Sequence, residues 1–164
     1  MRRLRPWPAA LLLAAGCYTF NPSAIPSHIK TINIPTVENK TLEVGLAEEL
    51  TTDLTDRFVQ DNTLKVVQSD ADAVLEATVT GYENRVFGFT SNQVADEYIV
   101  ILTVDMALRD RVKNKEIWSQ TGVVGRASYS TSGSGGGTTS EEEARKQAMK
   151  QVVDSAISRT VEGW

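Results

Sequence analysis

Apolar positions along this chain recur at two spacings, and each spacing marks its own kind of element. In Ile29-Lys30-Thr31-Ile32-Asn33-Ile34, Ile32 and Ile34 fall in step before Pro35 closes the run, the period of a strand. Through residues 42–58 the spacing opens to three and four, so that Val44, Ala47, Leu50, Leu54 and Phe58 make one stripe of a helix. Thr41 is placed to cap it and Glu43 suits its positive first turn, while Gly45 weakens that start by up to about 1 kcal/mol. Asp61-Asn62 ends the helix, and Leu64-Lys65-Val66-Val67 reads as a short edge strand. Alternation returns at residues 73–79, with Ala73, Leu75, Ala77 and Val79 on one side. It is longest at residues 98–108, where Tyr98, Val100, Leu102, Val104, Met106 and Leu108 share a face whose reverse turns polar toward Asp105. A further strand covers residues 117–127, in which Gly122 and Gly125 announce a bend, a bulge or a close approach. Residues 128–140, SYSTSGSGGGTTS, cannot bury enough surface to order themselves and read as a flexible loop. Ser140 with Glu143 forms a capping box, and Ala144, Ala148, Val152, Ala156 and Val161 carry the stripe of a second helix.

This order predicts an α+β fold: a two-layer sandwich with two helices on one face of a mixed, mostly antiparallel sheet of about four strands. The other sheet face has no internal cover. Alternation places Glu76, Thr78, Thr80, Thr103, Asp105, Gln120 and Arg126 there, with the aromatics Tyr82 and Trp118 among them. A slip of one residue at any bulge would reverse such an assignment.

Composition changes the picture at the N-terminus. The chain has 164 residues, one Cys and one His, which excludes an internal disulfide framework, a zinc–thiolate cluster and any site needing two histidines. It opens MRRLRPWPAALLLAAGC, a basic segment followed by an apolar run too short to cross about 30 Å of hydrocarbon. This reads as a secretion signal, and Ala14-Ala15-Gly16-Cys17 resembles a bacterial lipobox with Cys17 as the acylated residue. The expected division is residues 1–16 signal peptide, 17–27 lipidated tether and 28–164 a single domain. Two or more acyl chains on Cys17 would anchor that domain stably. Tyr18, where lipoprotein sorting often uses Asp for inner-membrane retention, favours the periplasmic side of the outer membrane. Loss of Arg2, Arg3 and Arg5 with the signal leaves 14 basic against 21 acidic side chains, an unsuitable balance for binding nucleic acid.

Little in the chain resembles catalytic machinery. His28 lies between the tether and the first strand and reads as a surface or turn residue. Asp70 and Asp72 read as turn residues, and no spacing matches an acid/base couple, a phosphate loop or a metal site. No enzyme, no cofactor and no metal is therefore expected. Two segments are less ordinary. Arg109-Asp110-Arg111-Val112-Lys113-Asn114-Lys115 concentrates four cations at the turn between the two longest strands, either a charged tip that serves solubility alone or a contact for phosphate or carboxylate groups or an acidic partner loop. Arg85-Val86-Phe87-Gly88-Phe89-Thr90 reads as a hairpin loop whose phenylalanines suit a partner or an acyl chain, or pack on the domain's own edge.

Taken in order, several short stretches resemble the LptE-like family of lipopolysaccharide-assembly lipoproteins. They are Gly16-Cys17-Tyr18, the run from Ile25-Pro26-Ser27-His28 through Asn39-Lys40-Thr41, Ala71-Asp72-Ala73-Val74-Leu75-Glu76, Glu97-Tyr98 and Ile117-Trp118. The family's frequent Gly after the lipobox cysteine is absent. The resemblance implies an outer-membrane lipoprotein seated as plug and assembly factor in an LptD-like β-barrel, contacting lipopolysaccharide. Arg85, Phe87, Phe89, Arg109, Arg111, Lys113 and Lys115 are then the candidate lipopolysaccharide or partner contacts, and Tyr82, Trp118 and Arg126 belong to the open face. A periplasmic scaffold or activator of a cell-wall synthase or secretion complex shares the same outline and stands as the alternative.

Overall fold

The computed structural model describes residues 25–89, 92–132, 138 and 140–162. The signal, Cys17 and most of the tether lie outside the described residues, as do residues 133–137 of the expected loop.

The sheet is built from three short strands, β1 (Thr31–Asn33), β2 (Glu38–Asn39) and β3 (Lys65–Val66), and three long ones, β4 (Ala73–Phe89), β5 (Ala95–Asp110) and β6 (Lys115–Ser130). The strand order is β3-β1-β4-β5-β6, with β2 also pairing β4, so the sheet has six strands rather than about four. β1 runs parallel to β3 and β4, whereas β4, β5 and β6 form an antiparallel meander. Helices α1 (Leu46–Asp61) and α2 (Glu141–Ile157) cover one face, and a π-helical turn at Ser158–Glu162 follows α2. The α+β, two-layer, mixed-sheet architecture is thus the one the hydrophobic pattern predicts.

One core joins both layers. Leu46, Leu50, Leu54 and Phe58 of α1 and Ala148, Met149, Val152 and Ala156 of α2 meet Leu75 and Val79 of β4 and Val100, Leu102, Val104 and Leu108 of β5. Each fully buried Leu or Phe contributes about 1.5–3 kcal/mol of hydrophobic stabilisation. Small residues set the spacing of α2 over β6: a Cβ on Gly125 would stand 1.9 Å from the Ala148 carbonyl oxygen. Gly125 is the close approach. Gly122 is the bulge, with φ +67° where the β5–β6 register shifts, and its N–H donates to Asp105 Oδ1 at 2.7 Å.

Three local expectations are corrected. α1 starts at Leu46, not at residue 42, because Gly45 takes the left-handed conformation (φ +85°) at its N-cap. Thr41 instead closes a turn on Asn39, whose Oδ1 accepts from the Thr41 N–H and hydroxyl at 2.9 and 2.8 Å, and Val44 is left exposed outside the stripe. β4 continues without a break to Phe89, so Arg85, Phe87 and Phe89 sit in a strand rather than a loop. β6 likewise runs to Ser130, three residues into the stretch read as flexible. Its end is paired, with Ser130 N–H donating to Thr138 O at 3.0 Å and Thr138 N–H to Ser128 O at 3.2 Å. That pairing satisfies backbone groups which composition alone does not reveal.

The second helix begins as expected. Ser140 accepts the Glu143 N–H, and Glu141, Glu142 and Glu143 fill the first turn. No helix among the described residues is long and apolar enough to cross a membrane.

Candidate functional site

The sheet's long meander sets its candidate residues at two ends. β5 rises about 3.3 Å per residue, so the turn after Asp110 and the pairing of Phe89 with Ala95 lie roughly 45–50 Å apart.

At the first end, β5 and β6 join through residues 111–114, and Asp110 organises the turn from beneath. Its carboxylate is 3% exposed, accepting the Lys113 N–H at 2.9 Å on Oδ1 and His28 Nε2 at 2.7 Å on Oδ2. Burial alone would raise the Asp110 pKa, but the Lys113 N–H and His28 outweigh it and hold the carboxyl below its ordinary value. Asn114 completes the turn in the left-handed region at φ +50°. Next door, Asp72 Oδ2 accepts the backbone N–H groups of Lys30 and Thr31 at 2.9 and 3.0 Å and the Thr31 hydroxyl at 2.9 Å. The Lys30 N–H leads in lowering its pKa. The Asp72 carbonyl takes the Arg111 N–H at 2.8 Å.

Both buried-side acids are therefore committed to the framework, while the cations face outward. Arg109 meets Glu76 at 3.0 Å across the sheet. Arg111, Lys113 and Lys115 are exposed and have no ion-pair partner among the described residues. His28 is a clamp rather than a free surface residue, fastening the chain as it enters the fold to the base of this turn. Eighty-two positions separate it from Asp110, and no sequence signal links them.

The other end is an arm. Tyr82 donates to Glu141 Oε1 at the start of α2, and beyond it β4 and β5 run on past the helix layer. A Tyr98–Tyr129 stack at 5.2 Å and the Asn84 Nδ2 bond to Tyr129 Oη at 2.9 Å brace the base of the arm. Asp96 holds the end of β6, accepting the Ser132 N–H at 3.0 Å and the Ser132 hydroxyl at 2.7 Å. Past these braces Phe87 is 65% and Phe89 68% exposed, and Val86 is exposed with them. Arg85 stands among them, 3.9 Å from Glu83. The seven candidate contacts thus separate into two places, Arg85, Phe87 and Phe89 on the arm and Arg109, Arg111, Lys113 and Lys115 at the turn.

The uncovered sheet face keeps Glu76, Thr78, Thr80, Thr103, Asp105 and Arg126, but neither Tyr82 nor Trp118 belongs to it. Thr80 is an extra residue in β4, and this bulge sets Tyr82 opposite buried Leu102 on the helix side. The two irregularities in β6 do the same on their strand, pairing Trp118 with Leu108 and Gln120 with Met106. Tyr82 and Trp118 consequently pack against the core. Burial and the Glu141 carboxylate push the Tyr82 phenol well above the usual tyrosine range. Gln151 of α2 guards the outer edge of β6, donating to Arg126 O at 2.8 Å and accepting the Arg126 N–H at 3.1 Å.

Among the described residues no group of three His, Cys, Asp or Glu side chains is placed to hold a metal ion. Three shallow depressions among the described residues are lined largely by charged side chains, around Asp53 and Lys150, around Glu76 and Arg111, and around His28 and Lys115.

Several solved structures share the fold. Protein XCC0632 from Xanthomonas campestris is 14% identical, with a TM-score of 0.60 over 86% of this chain and 88% of that one. The uncharacterized lipoprotein B from Nitrosomonas europaea is 16% identical, with a TM-score of 0.57 over 85% and 86%. A minor lipoprotein from Acinetobacter baumannii is 17% identical, with a TM-score of 0.51 over 80% and 91%. Comparison with curated proteins returns no match. The model of the LptE lipopolysaccharide-assembly family matches residues 29–160, from the first strand to the turn after α2, and the chain belongs to that family.

Proposed function

We propose that this protein is a lipid-anchored, non-enzymatic component of the outer membrane. In this reading Cys17 carries the anchor, and the domain assembles with and plugs an LptD-like β-barrel and contacts lipopolysaccharide on its way to the cell surface. The observation that carries the ligand part is the bare arm. It carries Arg85 and the exposed Phe87 and Phe89 within five residues of one strand, joining a phosphate-pairing group to apolar surface as a phosphorylated, acylated glycolipid requires. The polar uncovered face, with Thr78, Thr80, Thr103 and Asp105, suits the polar lumen of a barrel rather than a lipid-facing wall. Family membership supports the transport system as the setting. The test is binding of lipopolysaccharide to the full-length protein and to an R85Q/F87S/F89S variant. A loss of ten-fold or more is expected, and unchanged binding by a folded variant would refute the assignment of the arm.

A further inference from the structure

The end of the molecule where the chain enters the fold gathers exposed cations on a mature chain of 14 basic and 21 acidic side chains. Pro26 and His28 line one shallow depression with Lys113, Lys115 and Ile117, and the His28–Asp110 bond at 2.7 Å fixes the entering chain to the base of the β5–β6 turn. Cys17 stands eight residues before Ile25, a reach of at most about 29 Å for extended chain. An acyl group on Cys17 therefore brings a membrane surface within reach of this end, and the arm lies about 45 Å from the turn on the β-strand rise of 3.3 Å per residue.

The side chains here match such a surface. Arg111, Lys113 and Lys115 are exposed, while Asp110 and Asp72 are turned inward and engaged. Two exposed carboxylates stand beside them, Glu116, which takes the Ser119 hydroxyl at 2.6 Å, and Glu76, which is paired with Arg109 at 3.0 Å. Val112, between two of the cations at the apex of the turn, is 64% exposed. Without these three cations the mature chain counts 11 basic against 21 acidic side chains, a balance that an anionic surface repels.

We infer that the β5–β6 turn is a second membrane contact. Arg111, Lys113 and Lys115 rest on anionic phospholipid headgroups of the leaflet that holds the anchor, and Val112 enters the interface between them. This rests on the reading of Cys17 as acylated. An acyl anchor alone leaves a domain free to swivel on its tether; a polybasic contact beside it restricts the swivel and strengthens attachment. The consequence is orientation: the arm points away from the leaflet.

The experiment uses the full-length acylated protein in phosphatidylethanolamine/phosphatidylglycerol vesicles free of lipopolysaccharide. Once Cys17 is acylated, Val112→Cys and, separately, Phe87→Cys each supply one free thiol for a nitroxide label. The label at position 112 should be shielded from a water-soluble relaxing agent and reached by a lipid-dissolved one, with the reverse at position 87. Replacing phosphatidylglycerol with phosphatidylcholine, raising salt, or adding R111Q/K113Q/K115Q should return the position-112 label to water, increasing its aqueous accessibility several-fold. Equal aqueous accessibility at 112 and 87 in the anionic vesicles would overturn the contact. So would shielding at 112 that arises only when lipopolysaccharide is added, which would assign the turn to the glycolipid. Flotation with vesicles in high salt separates the two readings: protein that fails to float lacks the anchor, whereas protein that floats with an exposed position 112 refutes the turn contact alone.

Discussion

Replacing Gly125 with Ala tests the way α2 is seated on the sheet. The added Cβ would lie 1.9 Å from Ala148 O, 2.7 Å from Ala148 C and 3.1 Å from Val152 Cγ2, and the first two are backbone atoms that no rotamer change can clear. Contacts of this kind are essentially never under 3.0 Å, so the helix must lift by at least 1.1 Å at this point. A gap of that size forfeits a quarter to a half of the attraction of each atom lining it. The buried side chains of Ala148, Val152 and Ala156 would all feel it, and so would the paired Gln151–Arg126 hydrogen bonds at the edge of β6. Overpacking typically costs about 1–3 kcal/mol, and a backbone clash belongs at the top of that range. For a domain of this size about 3 kcal/mol lowers Tm by roughly 10 °C. Gly122→Ala is the contrast, because nothing lies within 4 Å of its added Cβ and the cost arises only from φ +67°, on the order of 1 kcal/mol. Thermal unfolding followed by circular dichroism should rank Gly125→Ala well below Gly122→Ala. A Gly125→Ala protein that melts within 2 °C of the parent would refute the packing of α2 on β6.

Further outcomes follow from other parts of the molecule. Leu50→Ala, at a fully buried position of α1, should cost about 2–5 kcal/mol in denaturant unfolding without changing the secondary structure of the folded state. Ser140→Ala removes the acceptor for the Glu143 N–H and should cost about 1 kcal/mol, read as a lower Tm with unchanged core fluorescence. Asp110 has a folded pKa depressed below the ordinary 3.8, since the Lys113 N–H and His28 more than offset burial. Its stabilising contribution is therefore complete above that value and is lost as pH falls through the lower, folded one. Stability measured by denaturant titration should decline below about pH 4 in the parent and less steeply in Asp110→Asn, and parallel declines would contradict the clamp.

Long periodic segments were legible because burial enforces their period. The alternation from Tyr98 to Leu108 is that of β5, and the stripe from Leu50 to Phe58 is that of α1. Ser140 and Glu143 marked the start of α2 because capping is local chemistry. What failed to show was set by contacts distant in sequence or by single extra residues. Thr80 in β4 and the irregularities around residues 117 and 122 in β6 reverse the facing of Tyr82, Trp118 and Gln120, and a period of two carries no mark of where such a residue is inserted. Phe87 and Phe89 looked like loop residues because their neighbour Gly88 breaks strand propensity, yet Val86, Gly88 and Phe89 pair with β5 and Phe87 is carried as an extra residue between them. The basic turn was visible as a cluster of charge, whereas the His28–Asp110 clamp beneath it, joining residues 82 positions apart, was not.

The proposed membership of a lipopolysaccharide-assembly complex in the outer membrane is tested by one measurement that addresses location and partner together. Full-length protein carrying a C-terminal affinity tag, purified from solubilised outer membranes, should bring down one β-barrel protein in one-to-one stoichiometry. Recovery in the inner-membrane fraction, or with a cell-wall synthase and no barrel, would contradict it.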